Sequence, residues 1–242
     1  MDCGNAAAAI NAPELFKSLG IEIKELYCEP DGTFPNHHPD PTVEKNLFDL
    51  IDLMKSGNYD VGIAFDGDAD RVGVVDEKGH VLWADELMSI FLPDIIKNGE
   101  DILFDVKCSQ ALEDMINHYG GNPIMWKTGH SLIKQKMTEI GCKFGGEMSG
   151  HIFFADDYYG YDDAIYVAAR LLELLSKTNK SLSELKSIIP VYHSTPEIRM
   201  EAKNDEEKFK ILERFLASKM NLKSNIFIEK SLKSSKCLYN NK

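Results

Sequence analysis

The chain has 242 residues, enough for one large or two ordinary domains, each with its own core. Its 27 Lys and Arg against 39 Asp and Glu leave a net charge of −12, which argues against sequence-independent nucleic-acid binding and favours solubility. With 43% hydrophobic residues and no apolar run approaching the ~20 residues of a membrane span, neither a transmembrane helix nor a signal peptide is expected. The five cysteines are scattered, with no Cys-x-x-Cys pair, which fits inert thiols in a reducing, cytoplasmic setting better than a disulfide framework.

Strand and helix patterns alternate along the chain. The class expected is α/β: two consecutive three-layer α/β/α domains with mixed, mostly parallel sheets, then a partial third unit. In the first unit, residues 1–86, a helix over 6–19 stops at Gly20 and a strand runs over 21–27. A loop rich in Pro, Gly, Asn, Asp and His covers 29–41, a helix with Thr42 as N-cap covers 42–55, and a strand–acidic loop–strand unit covers 60–76. The pattern wants a strand before the first helix, and none is legible there. The second unit, residues 87–190, reads as helix 87–97, strand 101–106, helix 109–119, strand 123–127, helix 131–140 and strand 142–144. A hairpin around Gly150 returns through Ile152-Phe153-Phe154, and helices over 162–175 and 183–189 follow. Residues 191–242 suggest a strand over 197–202, a helix over 206–216 and a basic, aperiodic, disordered tail after Ser218.

The densest chemistry lies in Asp66-Gly67-Asp68-Ala69-Asp70-Arg71, between the apolar runs 61–65 and 72–75. Three carboxylates at alternate positions, spaced by small residues, converge at a cost in repulsion that a cation relieves. Hard oxygen donors suit Mg2+ or Ca2+, and Mg2+ leaves positions open for water and phosphate oxygens. An acidic solvated turn is the plain alternative. An EF-hand would need Gly where Arg71 stands, and helices where strands are predicted. A haloacid-dehalogenase-type phosphatase would use Asp66 as nucleophile and Asp68 as acid/base, with Asp162-Asp163 as a second acidic cluster. It would want Thr or Val where Asp70 stands.

The second constellation is Gly145-Gly146-Glu147-Met148-Ser149-Gly150-His151. In an extended segment Glu147, Ser149 and His151 share a face, where a carboxylate and a hydroxyl suit vicinal sugar hydroxyls. A Gly-rich hairpin with solvated polar residues fits the spacing equally well. Lys107, after the strand 101–106, and His130, in the corner Thr128-Gly129-His130-Ser131, both stand where α/β sheets bind ligands, outside the carboxyl ends of strands. An ordinary surface lysine and a solvated histidine are the competing readings. His37 and His38 read as loop structure, and Cys108 as a small core residue.

Taken together, these motifs closely resemble the α-D-phosphohexomutases of the phosphomannomutase/phosphoglucomutase type. Asp66-Gly67-Asp68-Ala69-Asp70-Arg71 is similar to their metal loop, and Gly146-Glu147-Met148-Ser149-Gly150-His151 to their sugar-recognition loop. Phe104-Asp105-Val106-Lys107-Cys108, Thr128-Gly129-His130 and the stretch from Cys28 to His37 also match, so the resemblance runs from about residue 2 to about residue 215. It implies domains II and III and the start of domain IV of a four-domain enzyme. Such an enzyme interconverts hexose 1- and 6-phosphates of mannose or glucose through a phosphoserine and a hexose 1,6-bisphosphate. The resemblance further implies Mg2+ at Asp66, Asp68 and Asp70, and Arg71 beside the transferring phosphoryl group. Glu147 and Ser149 would hold sugar hydroxyls, and Lys107, His130 and His151 would serve in proton transfer or phosphate contact. The family's Ser-His-Asn-Pro does not occur in this sequence, and neither does the phosphate-gripping loop of domain IV, so the chain is expected to be inactive alone. The missing domains would be partners if the gene is split. A stand-alone Mg2+- or phosphosugar-binding module is the alternative.

Overall fold

The computed structural model describes residues 1–192 together with Asn204 and Lys210. The strand over 197–202, the helix over 206–216 except Lys210, and the tail after Ser218 therefore lie outside the described residues. No helix among the described residues is long and apolar enough to cross a membrane.

In the first unit, helix α1 (Ala8–Ser18) is alanine-rich, carries Pro13 inside it, and buries Ala8, Ala9, Ala12, Pro13 and Phe16. It ends where Gly20, at φ +80°, returns its N–H to the Lys17 carbonyl. The residues after it form no regular strand. Residues 21–27 hold a single bridge, Asp2 to Leu26. Glu22, Lys24 and Glu25 face solvent there, as edge residues do. Asp2 bridges in parallel to Leu26 on one side and Ala64 on the other, so Met1–Cys3 takes the place between them of the strand wanted before α1.

A short 3-10 turn (Glu44–Leu47) leads into α2 (Phe48–Ser56), later than expected. Thr42 does not cap it; its hydroxyl donates to the Asp40 carboxylate at 2.7 Å. Strands β1 (Val61–Phe65), β2 (Val72–Asp76) and β3 (Val81–Leu82) pair antiparallel in that order. The first sheet therefore has its parallel character only at the Asp2 bridges. Alternation along β1 sends Ala64 toward α2, with Leu50, Ile51 and Met54, and sends Ile63 and Phe65 to the opposite face.

Helix α3 (Ala84–Ile95) starts three residues before its predicted Leu87, because the Glu86 carboxylate accepts the Trp83 N–H at 2.9 Å. Then come β4 (Asp101–Asp105), α4 (Gln110–His118), β5 (Asn122–Trp126), α5 (His130–Ile140), β6 (Phe144–Gly146), β7 (Ile152–Phe154), α6 (Ala164–Ser176) and α7 (Leu182–Lys186). The sheet order is β5-β4-β6-β7, with β4 parallel to β5 and β6, and β7 antiparallel to β6. Ile102 and Phe104 face α3 and α4, whereas Leu103 faces Ile133 and Met137 of α5, which makes three layers. Asp163 caps α6 by accepting the Tyr166 N–H at 3.0 Å.

The two units do not keep separate cores. The largest apolar cluster runs from Ala12, Phe16, Phe65 and Val74 of the first unit into Met88, Phe91, Phe104 and Leu171 of the second.

Candidate functional site

The acidic loop closes the β1–β2 hairpin, whose last pair is Phe65–Val72. A strand-flanked loop removes the EF-hand reading. Asp66 is fully buried and organises the loop. Its Oδ1 accepts the N–H groups of Asp70 (3.0 Å) and Arg71 (3.1 Å), and its Oδ2 accepts Arg71 Nε at 2.7 Å. Ala69 sits at φ +64°, a costly conformation for a residue with a Cβ, and this curls the loop. Oxygens of Asp66, Asp68 and Asp70 thereby come within 4.8 Å of one another, with Asp68 exposed. Burial and the charges of Asp66 and Asp68 push the Asp70 carboxyl up, with His151 opposing them. Crowded carboxylates under that pressure are a hard-oxygen donor set that fits Mg2+. Arg71 also reaches Asp40, at 3.4 Å.

The glycine-rich segment is a tight turn between β6 and β7, not an extended strand. The Glu147 N–H donates to the His151 carbonyl at 2.8 Å and the Gly150 N–H to the Glu147 carbonyl at 3.0 Å. The three polar side chains converge through the turn instead: His151 Nδ1 lies 2.9 Å from Ser149 Oγ and 3.1 Å from Glu147 Oε2. Glu147 is almost wholly buried, and its other oxygen accepts the Gly129 N–H. Gly145 and Gly146 are required by packing, since a Cβ would come within 2.7 Å of the Leu103 carbonyl or of Met88 Sδ.

The two loops, about eighty residues apart in sequence, meet. Gly150, at φ +101°, gives its carbonyl to the Val72 N–H at 3.2 Å, and a Cβ there would lie 3.0 Å from the Val72 carbonyl. His151 Nε2 faces Asp70 Oδ1 at 3.2 Å. Burial lowers the His151 imidazole, but Glu147 and Asp70 raise it by more, so it sits above its ordinary value. His130, the first residue of α5, stacks on His151 with ring centroids 5.3 Å apart. Lys107 is exposed in the turn after β4, at the carboxyl end of its strand as expected.

Two carboxylates in this neighbourhood, Asp105 and Asp162, have partners that the sequence does not reveal. Asp105, fully buried at the end of β4, accepts the Met148 N–H (3.0 Å), the Thr128 hydroxyl (2.8 Å) and the Cys108 thiol (3.2 Å). It thus ties the ends of three elements together beneath the glycine loop. The available signal was a carboxylate inside the apolar run Ile102-Leu103-Phe104-Asp105-Val106. Asp162 bonds His130 Nδ1 and Lys134 Nζ, both at 2.7 Å. Against the upward push of burial, Lys134 and His130 hold the Asp162 carboxyl below its ordinary value. Asp162 and Asp163 therefore do not act as one acidic cluster: the first faces the site and the second caps α6.

A hairpin loop of carboxylates that could hold a metal ion, an adjoining glycine turn with a buried glutamate, and basic side chains at the carboxyl ends of parallel strands meet in one α/β/α protein. Residues 1–79 match the model of phosphoglucomutase/phosphomannomutase α/β/α domain II, and residues 83–192 match that of domain III. A phosphomannomutase/phosphoglucomutase of Pseudomonas aeruginosa is 51% identical over 215 residues, 88% of this chain and 46% of the relative. A phosphoglucomutase of Neisseria meningitidis is 46% identical over 202 residues, 83% of this chain and 44% of the relative. The crystal structure of a phosphoglucomutase/phosphomannomutase family protein from Burkholderia thailandensis superposes with a TM-score of 0.83 at 42% identity, covering 92% of this chain and 47% of that one. The chain belongs to the phosphoglucomutase/phosphomannomutase family, the α-D-phosphohexomutases. It spans about half the length of the curated relatives it matches.

Proposed function

We propose that this chain supplies the metal-binding and sugar-recognition parts of a phosphohexomutase acting on mannose or glucose 1- and 6-phosphates. The observation that carries this reading is the junction of the two loops, where Asp70 faces His151 at 3.2 Å. Asp66, Asp68 and Asp70 would hold Mg2+, which when bound neutralises charge on a transferring phosphoryl group. Arg71, fixed by Asp66, presents positive charge beside that position. Glu147 and Ser149 orient sugar hydroxyls. For Glu147 this requires exchange of its Gly129 or His151 contact for a ligand hydroxyl. Asp162 fixes the His130 ring through Nδ1, leaving Nε2 to meet phosphate or carry a proton, and His151 and Lys107 complete the basic lining. The organisation into units of residues 1–86 and 87–190, with 191–242 as the start of a fourth domain, and a cytoplasmic location belong to the same proposal.

Turnover needs a nucleophile that carries the phosphoryl group between positions, and Ser-His-Asn-Pro is absent from the sequence. The 242-residue chain should therefore bind Mg2+ and sugar phosphate weakly and turn nothing over. Calorimetry with Mg2+ and glucose 1-phosphate, and a coupled assay for glucose 6-phosphate with glucose 1,6-bisphosphate added, test both halves. Sugar phosphate binding that survives Glu147→Gln combined with Ser149→Ala would refute the site assignment. Turnover abolished by Asp66→Asn would refute inactivity and place a nucleophile within this chain.

A further inference from the structure

The cysteines, scattered in sequence, do not all stay apart in the fold. Cys3 Sγ and Cys28 Sγ lie 3.2 Å from each other. Backbone pairing holds them there. The Cys3 N–H donates to the Leu26 carbonyl at 3.1 Å, the Leu26 N–H to the Met1 carbonyl at 2.8 Å, and the Asn5 N–H to the Tyr27 carbonyl at 2.8 Å. The two thiols thus sit on neighbouring, hydrogen-bonded segments and need only a small approach to bond. Their surroundings differ in a useful way. Cys28 is half-buried and lines a surface cavity of about 370 Å³ together with Asn5, Glu25, Tyr27, Glu29 and Asn36. Cys3 is fully buried behind it. The hydrogen bond with Cys3 lowers the Cys28 thiol against the opposing effect of burial, whereas Cys3 itself is pushed up. Among the described residues Cys108 and Cys142 have no second thiol beside them: both are buried, with Sγ on Asp105 and on the Asp101 and Phe144 carbonyls.

We propose that Cys28 and Cys3 are a redox modification site, an attacking and a resolving thiol that close into a reversible intramolecular disulfide with small disulfides such as glutathione disulfide. The Cys28 thiolate attacks one sulfur of the oxidant, forming a mixed disulfide and releasing one glutathione thiolate, which takes up the Cys28 proton. Cys3 then gives its proton to the second departing glutathione and attacks Cys28 Sγ. Two protein thiols are oxidised and one glutathione disulfide is reduced to two glutathiones. The bond would staple residues 1–5 to residues 26–28. Asp2 in that segment is paired to β1, through its N–H to the Ile63 carbonyl (2.7 Å) and its carbonyl to the Phe65 N–H (3.1 Å), and β1 runs directly into Asp66. The staple therefore lies one strand from the acidic loop. This chemistry does not depend on the mutase reading.

The test uses the reduced full chain, incubated with glutathione disulfide, blocked with N-ethylmaleimide and mapped by mass spectrometry after trypsin. The expected result is protection of two of the five thiols, with peptides 1–17 and 25–45 cross-linked and both thiols restored by dithiothreitol. In Cys3→Ser, Cys28 should stop at the glutathione adduct. In Cys28→Ser, a change at a half-buried position, Cys3 should remain fully alkylatable after denaturation. A wild-type chain that stops at a Cys28 adduct, or that pairs Cys108, Cys142 or Cys237 before Cys3 and Cys28, overturns the proposal.

Discussion

At the site edge between the two units, Asp70 faces His151 at 3.2 Å while Asp66 and Asp68 crowd further negative charge around it. At the opposite edge, Glu77 in the β2–β3 turn accepts the hydroxyls of Ser181 (2.7 Å) and Ser183 (2.5 Å) and the Ser183 N–H (3.1 Å), while Lys186 bonds Glu86 at 2.9 Å. Both edges join the same two units, yet Glu77 at the second meets only hydroxyl and N–H donors, whereas Asp70 at the first has the like charges of Asp66 and Asp68 set against His151. Burial, with the charges of Asp66 and Asp68, pushes the Asp70 carboxyl up against His151. Despite burial, Glu77 is pulled down to about 2 by Ser183 and Ser181. The difference teaches where like charge is relieved and where it is kept: the clasp holds the units together with satisfied carboxylates, and the site keeps three like carboxylates close to one another, an arrangement that a cation relieves.

The sharpest way to break the comparison is Gly150→Val. The residue is at φ +101° and its new Cβ would press on the Val72 carbonyl, so the site edge should open at a cost of about 3 kcal/mol in urea denaturation. A smaller loss would show that the loops are not rigidly joined. At the clasp, Glu77→Gln should cost about 1–2 kcal/mol at pH 7 after allowance for solvent screening. The sign with pH follows from the depressed carboxyl. Its contribution is fully present above the unfolded value near 4.3 and is lost as pH falls toward about 2, so wild type and variant should converge over that window in acid titration. Divergence there would mean that Glu77 is not the titrating group.

At the site, Asp68→Asn removes a like charge at an exposed position. Thermal stability without metal should rise by about 0.5 kcal/mol while Mg2+ affinity falls at least about tenfold by calorimetry. A loss of stability would deny that the loop is strained by its own charge. The smallest effect belongs to the half-buried Lys186–Glu86 pair of the clasp. Lys186→Met should change stability by no more than about 0.5 kcal/mol, most visibly at low salt.

The acidic loop was legible because its chemistry is local: three carboxylates, small spacers and two strand-like flanks lie within fifteen residues of sequence. The same holds for most helices, whose starts and stops depend on neighbours such as Gly20, Asp163 and the Ser181–Glu184 pair. Residues 21–27 form a single bridge and no regular strand, because alternation in sequence does not say how far pairing extends, and the Asp2 bridges carry no period of their own. What only the tertiary structure decided are the relations across long separations. These are Asp105 beneath the glycine turn, Asp162 on His130, Cys3 against Cys28, and Asp70 against His151. None of those pairs carries a local signature, because each is created by β-strand order and by the meeting of two units over one shared core, and periodicity along the chain is blind to both.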